Sequence, residues 1–507
     1  MEVQRCLPGE DRLGLLPVIR EQAVSGIFRS HKPATFFVSL HQWGSMAPEG
    51  WEAAFRSFLS SWSGDSVGID TANILPGTTT YIVRSFDGNA LQFSFPLLIR
   101  RDLLTDIDLS PEGSDGAVCV LIERIKEHAV RTRELGPLYG NGIAGSLRYH
   151  DTIEPYTIIH SDDAIGPHLW KADCRNFCDR DGIHLILRGA LPCPPGSSDS
   201  DCQWIIPRLS DLAEAIGALI QKTPLPLLRT AWLASLDQKL LRRSLPEQDL
   251  VSFVGDSSRL ARTITRYRPF FRVAGPKEGV SIPFCCPVEL GPVELELPAS
   301  NRVVTGLGIR QREVFAIAGS NAQGKTTFLE GILAGMDDHA PHDGRETVVT
   351  VQGTRVAEST NMGLAGADIS MFFHALPPGV SGTVTGAFGM GSGSMTMAHQ
   401  VQAAITRRAP LLIIDEDRAA PNLLVKSCLQ KEEITPLSEI LSRKRDLIGD
   451  TTLVFAACAM DMLIARADRI MVLDRHEASA VDPAEFRRML AGSLRTMADD
   501  LNGSRRD

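Results

Sequence analysis

Gly319-Ser320-Asn321-Ala322-Gln323-Gly324-Lys325-Thr326 follows the apolar run Val314 to Ala318 and precedes a helical pattern from Thr326 to Leu333. A glycine, four residues and then Gly-Lys-Thr, set between a strand and a helix, is the spacing of a loop that cradles phosphate. The glycines let the chain turn its N–H groups inward. The helix start adds a positive partial charge, and the Lys325 ammonium reaches terminal phosphates. Thr326 carries a hydroxyl suited to Mg²⁺, which takes an octahedral oxygen shell shared with phosphate and water. Gly319 to Thr326, with Thr327 behind them, therefore form the expected ATP-binding set, and Lys325 is expected to serve catalysis as well.

A second motif lies downstream. Leu411 to Ile414 is an apolar strand that delivers Asp415 and Glu416 to the C-terminal edge of a sheet, where open α/β folds bind ligands. Asp415 is expected to join Thr326 in the Mg²⁺ shell, as a Walker B aspartate does, and Glu416 to polarise the attacking water. Two further short apolar strands, Leu453 to Ala457 and Ile470 to Leu473, complete a pattern of buried strands alternating with helices. That pattern predicts an α/β core with a mixed, mainly parallel sheet covered on both faces.

Upstream the texture differs. Strand-like runs (Thr35 to Leu40, Thr80 to Arg84) alternate with helical patterns (Trp51 to Trp62, Val118 to Arg133), which predicts α+β accessory domains. Glycine-rich turns in Leu135 to Gly145 suggest a boundary. A strand at Ile183 to Leu187 and helices at Ile206 to Gln221 and Arg229 to Leu245 follow, and prolines and β-branched residues from Pro276 to Pro298 lead into the core. The expected division is an accessory domain over 1–135, a middle domain over 136–275, the ATPase domain over 276–480 and a helical tail over 481–507.

With 507 residues, 43% hydrophobic and 22% charged, the chain reads as two or three globular domains. No apolar run is long enough for a bilayer, and Glu2, Glu10, Asp11 and Glu21 interrupt the opening segment, so neither a membrane span nor a secretory signal is expected. The ten cysteines are scattered, with Cys174 four residues from Cys178 and Cys285 beside Cys286, which fits reduced thiols in the cytoplasm better than zinc ligation. A net charge of −9 offers no general footprint for nucleic acid. One local stretch does. Lys239, Arg242, Arg243, Arg259, Arg262, Arg266, Arg268 and Arg272 interleave with Tyr267, Phe270 and Phe271. On sequence alone they read first as arginines paired with the chain's own acids, beside rings packed in the core, and second as phosphate and base contacts.

Several segments resemble the predicted ATPases of the ABC class, a family that includes a trypanosomatid mitochondrial RNA-editing accessory factor. They are His342-Asp343-Gly344-Arg345-Glu346, Gly391-Ser392-Gly393-Ser394, Asp415-Glu416-Asp417 with Asn422, and Glu433-Ile434-Thr435-Pro436. Leu250 to Val254 and Arg188 to Pro192 are similar to family segments farther upstream. The resemblance implies ATP sandwiched between two copies of the domain, with Ser392, Gly393 and Ser394 of one meeting the γ-phosphate held by the other. It departs at Ala457-Cys458-Ala459, where transporter ATPases place a histidine, and at Arg418 to Pro421. Gln352 is a candidate magnesium sensor or a plain surface residue. The function expected is a homodimeric ATPase without membrane insertion that acts on a macromolecule, RNA or DNA among the candidates. The alternative is a nucleotide-gated protein scaffold with little turnover.

Overall fold

A computed structural model describes residues 50–64, 67–84, 90–100, 111–129, 131–139, 176–192, 202–264, 271–273, 282–429 and 433–503, with only the backbone of 262–264 and 271–273. The expected strand at Thr35 to Leu40 and the aromatic residues Tyr267 and Phe270 lie outside them. The described residues form two compact units, divided at residues 223 and 224, with 111–120 belonging to the second. The middle region expected over 136–275 is thus shared between the units.

The first unit is built on an antiparallel sheet. Its strands are β1 (Val67–Ile69), β2 (Tyr81–Arg84), β3 (Ala90–Arg100), β4 (Phe177–Cys178) and β5 (Gly182–Pro192), with β3 and β5 paired along their full length from Ala90↔Pro192 to Arg100↔Gly182. Helices α1 (Gly50–Ser61) and α2 (Ile205–Gln221) bury Phe55, Phe58, Leu209, Leu212 and Ile216. Each helix carries these at three- and four-residue spacing, the period that keeps one helical face apolar.

Inside this unit a polar knot sits among apolar neighbours. Nδ1 of His184 lies 2.7 Å from Oδ2 of Asp70, and Nε2 lies 3.0 Å from Oδ1 of Asp179. The side chains of His184 and Asp70 are 5% and 3% exposed, and Phe177 stacks on the imidazole at 4.2 Å. A carboxylate only accepts, so both ring nitrogens carry protons and the ring is an imidazolium.

The second unit holds a six-stranded sheet in the order β13-β17-β18-β11-β19-β20. Its members are β11 (Val314–Ala318), β13 (Arg355–Ala357), β17 (Leu411–Asp415), β18 (Thr452–Ala457), β19 (Arg469–Asp474) and β20 (Glu477–Val481). All neighbours are parallel except the β19–β20 hairpin, so the sheet is mixed and mainly parallel. Strand residues alternate between two cores. Val314, Ala316, Leu412, Ile414, Leu453 and Phe455 face one, with Met395, Met397 and Val401 of helix α5 (Gly393–Thr406). Phe315, Ile317, Leu411, Ile413 and Val454 face the other, with Phe328, Leu329 and Ile332 of helix α4 (Lys325–Ala334). Because both faces are covered, the middles of β11, β17 and β18 carry apolar side chains on both sides, which is why they read as unbroken apolar runs.

Around that sheet lie a four-stranded antiparallel sheet containing β6 (Leu250–Gly255), β9 (Val293–Leu297), β10 (Arg302–Arg310) and β12 (Val348–Thr350), and a three-stranded one of β14 (Gly363–Ala367), β15 (Ser381–Thr383) and β16 (Gly386–Met390). Helix α3 (Leu225–Ser244) precedes β6, and α6 (Leu437–Arg443) precedes β18. The chain closes with helix α7 (Pro483–Leu501), which buries none of its residues. Of the stretch Pro276 to Pro298, only β9 is a strand among the described residues.

Candidate functional site

β11 ends in the phosphate loop, and the loop ends in α4. Gly319 turns at φ +137°, with the Leu473 carbonyl 2.3 Å from where a Cβ would stand, so only glycine fits this turn. Gly324 caps α4 without a side-chain hydrogen bond, which leaves the first N–H groups of the helix open to an anion. Lys325 is 8% exposed. Its Nζ donates to the carbonyls of Gly319 at 2.7 Å and Ser320 at 2.8 Å, so the ammonium is held over the loop by weak neutral acceptors.

β17 brings the acids to the same place. Thr326 Oγ1 donates to Asp415 Oδ2 at 2.7 Å, and the Asp417 N–H lies 3.3 Å from Asp415 Oδ1. A hydroxyl and a carboxylate in direct contact beside a phosphate-shaped loop are a fitting pair of hard oxygens for Mg²⁺, whose remaining positions phosphate and water would fill. Glu416 is turned elsewhere: its Oε2 accepts from the backbone N–H groups of Cys458 and, at 3.3 Å, Ala459. Main-chain amides of the segment that lacks a histidine thus hold the candidate base. Arg418, which follows, pairs with Glu358 at 3.0 Å and Glu330 at 3.5 Å.

A cavity of about 290 Å³ opens on the loop. Ala322, Gln323, Gly324, Lys325, Thr326 and Thr327 form one side of it. Leu260, Ala261, Ile282, Phe284 and Phe328 supply an apolar wall, and Asp417, Leu473 and His476 complete the lining. Sequence reading missed Leu260, Phe284, Asp417 and His476 as site residues. They lie up to about 150 residues from the loop or beside a more conspicuous acid, and no local spacing marks them.

The segments that carry the family resemblance have local work in this architecture. Glu346 accepts the N–H groups of His342 and Gly344 at 2.7 and 2.6 Å, closing their turn. The fully buried Arg345 donates to the Leu260 carbonyl at 2.7 Å, and the Arg259 N–H donates to Gly344 at 2.6 Å. That turn therefore braces one wall of the cavity. Ser394 Oγ donates to Asn422 Oδ1 at 2.7 Å, joining two motif segments. Ser392 caps α5, and Gly393 packs so closely on Ser359 that a Cβ would lie 1.9 Å from its hydroxyl. Ser392, Gly393 and Ser394 do not line the cavity of their own chain. The Thr435 hydroxyl meets His374 Nε2 at 2.8 Å.

Other candidates resolve more plainly. Gln352 donates its amide to the Met336 carbonyl. In the basic stretch Lys239 pairs with Asp115, Arg242 with Asp338 at 2.9 Å and Arg243 with Glu112 at 3.3 Å. These three cations are engaged by the chain's own acids. No group of His, Cys, Asp and Glu that would hold a metal by itself occurs among the described residues, and none of their helices is long and apolar enough to cross a membrane.

Comparison with known proteins agrees with this reading of the core. The family model for ABC_ATPase, described as a P-loop domain, matches residues 226–502. An uncharacterized protein of Methanocaldococcus jannaschii, MJ1628, is 37% identical over 425 residues, covering 83% of this chain and 92% of the relative. Among solved structures, cbiO1 from Clostridium perfringens, part of the ABC transporter complex cbiONQ, is 12% identical with a TM-score of 0.29, covering 50% of this chain and 95% of that one. A nucleotide-free ATP-binding cassette from an ABC transporter is 14% identical with a TM-score of 0.25, covering 37% and 87%. With a match that spans more than half its length, together with a relative alike along nearly all of its own, the chain belongs to the ABC_ATPase family and carries its P-loop domain.

Proposed function

We propose that this protein is a cytoplasmic ATPase that binds ATP with Mg²⁺ in the Gly319–Thr326 loop and hydrolyses it slowly between two copies of the chain, driving a conformational change on a macromolecular partner. The observation that carries the reading is the 2.7 Å contact between Thr326 Oγ1 and Asp415 Oδ2 beside a loop whose lysine faces only carbonyls. Gly319 to Thr327 would wrap the phosphates, with Lys325 donating to them as it leaves the Gly319 and Ser320 carbonyls. Thr326 and Asp415 would hold the magnesium, which when bound neutralises charge that develops on the phosphates. Glu416 would take the proton of the attacking water. Ser392, Gly393 and Ser394, at the start of α5, would meet the γ-phosphate held by a second copy. RNA and DNA are the partners to test first, because the arginines between 262 and 272 interleave in sequence with Tyr267, Phe270 and Phe271.

Phosphate release by the full-length protein, measured alone and with RNA, single-stranded DNA or duplex DNA over a salt series, tests this directly. Multiple turnovers that disappear in Lys325→Ala are expected, as is stimulation by one polymer that fades as salt rises. A Glu416→Gln variant is expected to self-associate when ATP is added. One observation favours a second reading, a nucleotide-gated scaffold: Glu416 is already engaged by the amides of Cys458 and Ala459. ATP binding without turnover, and indifference to all three polymers, would establish the scaffold instead.

A further inference from the structure

The hairpin between β19 and β20 turns through two residues, Arg475 and His476, with Asp474 paired to Glu477 at its base. Both central residues have positive φ, 49° and 67°. A two-residue turn of this kind favours Asn-Gly or Gly-Gly, which reach the left-handed region with little strain. Arginine followed by histidine breaks that preference, and residues that break a local rule at the rim of a site are candidates for function.

What the turn gains is a grip on the phosphate loop. The Arg475 N–H donates to Gln323 Oε1 at 2.5 Å, and His476 Nδ1 lies 3.1 Å from the Gln323 carbonyl oxygen. A carbonyl only accepts, so Nδ1 carries the proton and Nε2 is the ring atom left over. Among the described residues Nε2 has no hydrogen bond. The ring lies beside Gly324, 3.3 Å from the position a Cβ would take there, and it lines the cavity with Lys325, Thr326 and Thr327. An imidazole anchored through Nδ1 keeps Nε2 spare, and when Nε2 carries a proton it is a preplaced donor for an anion drawn into the loop.

We propose that His476 is a nucleotide-binding residue whose Nε2 contacts the phosphate chain of the nucleoside triphosphate. The proposal rests on the nucleotide reading above. In the doubly protonated ring the Nε2–H donates to a phosphate oxygen, in a cavity that already holds the Lys325 ammonium and the Asp417 carboxylate. Arg475, Asp474 and Glu477 are the other charged groups at the turn of this hairpin, and Arg469 lies at the far end of β19.

The experiment uses His476→Asn in the full-length protein. Asparagine suits the left-handed turn at least as well as histidine, so the variant is expected to keep or raise the melting temperature. Calorimetric titration with ATP, and with inorganic tripolyphosphate, which has neither base nor ribose, then reads the contact. Both affinities are expected to fall by roughly five- to tenfold, in the same ratio. Loss for ATP with none for tripolyphosphate would move the contact to the ribose or base and overturn the phosphate assignment, and unchanged affinity for both would overturn the proposal outright. Lys325→Ala, run alongside, separates the two levels: wild-type protein that fails to bind ATP sinks the nucleotide reading itself, whereas binding lost in Lys325→Ala but retained in His476→Asn sinks only the role of His476.

Discussion

The first unit closes Asp70, His184 and Asp179 on one another, whereas the second leaves Lys325, Thr326 and Asp415 beside a cavity. Both clusters bury charge, and they satisfy it in opposite ways. Each proton of the His184 ring meets a carboxylate, and Asn73 donates its amide to the same Asp70 oxygen that the ring does. Lys325, by contrast, donates to two carbonyls of its own loop. A cation matched to full anions has little to gain from a ligand, while one matched to neutral carbonyls gains a great deal when a triphosphate arrives. Completeness of local pairing, more than the presence of charged residues, separates a structural knot from a binding site.

The sharpest way to break this comparison is His184→Ala. It leaves the buried Asp70 and the partly exposed Asp179 without their cation, and loss of one partner from a buried pair such as His184–Asp70 costs about 3 kcal/mol or more. Urea denaturation is expected to show that loss while ATP affinity stays within about twofold of wild type. Lys325→Ala should do the converse. Here ATP affinity is expected to drop about 100-fold, and stability to move by less than about 1 kcal/mol, since the removed ammonium had only neutral partners. Should either variant change both quantities strongly, the contrast between a closed and an open cluster would fail.

The two clusters also differ in how far they were legible from the sequence. The phosphate loop, the acids of β17 and the parallel strands were readable because each is a contiguous stretch with a physical signature. Glycine is required where φ reaches +137° at Gly319, and unbroken apolar runs are required where both sheet faces are covered. The knot in the first unit was not, for His184 meets a carboxylate 114 positions away and carries no spacing that announces it. From sequence alone its ring reads as structural or exposed, and its charge becomes evident only from the fold. Leu260, Phe284 and His476 escaped for the same reason: they become a wall of the cavity only once β6, β19 and β20 are in place. In the basic stretch, composition left two roles open. Lys239, Arg242 and Arg243 pair with Asp115, Asp338 and Glu112, contacts between positions about 96 to 131 residues apart that composition does not reveal.

A pH series probes the closed cluster more gently, because its members stay in place and only their protons change. Burial pushes the His184 ring toward its neutral form, but the hydrogen bonds to Asp70 and Asp179 outweigh it and hold the pKa above the usual histidine value. Burial likewise pushes Asp70 and Asp179 up, and the hydrogen bonds from His184 outweigh that and hold both below the usual carboxylate range. The signs differ accordingly. Stability from the raised histidine is fully present below about pH 6.5, its unfolded value, and is lost as pH rises through the folded one. Stability from the two aspartates is present above about pH 3.9 and is lost as pH falls through their folded values. The knot therefore contributes most between about pH 4 and 6.5, and wild type should show a gain over His184→Ala that shrinks on both sides of that window, with urea midpoints at fixed temperature as the measurement. A difference between the two proteins that stays flat from acid to alkaline pH would mean that the ring is neutral when folded, and that the first unit holds its carboxylates by hydrogen bonding alone.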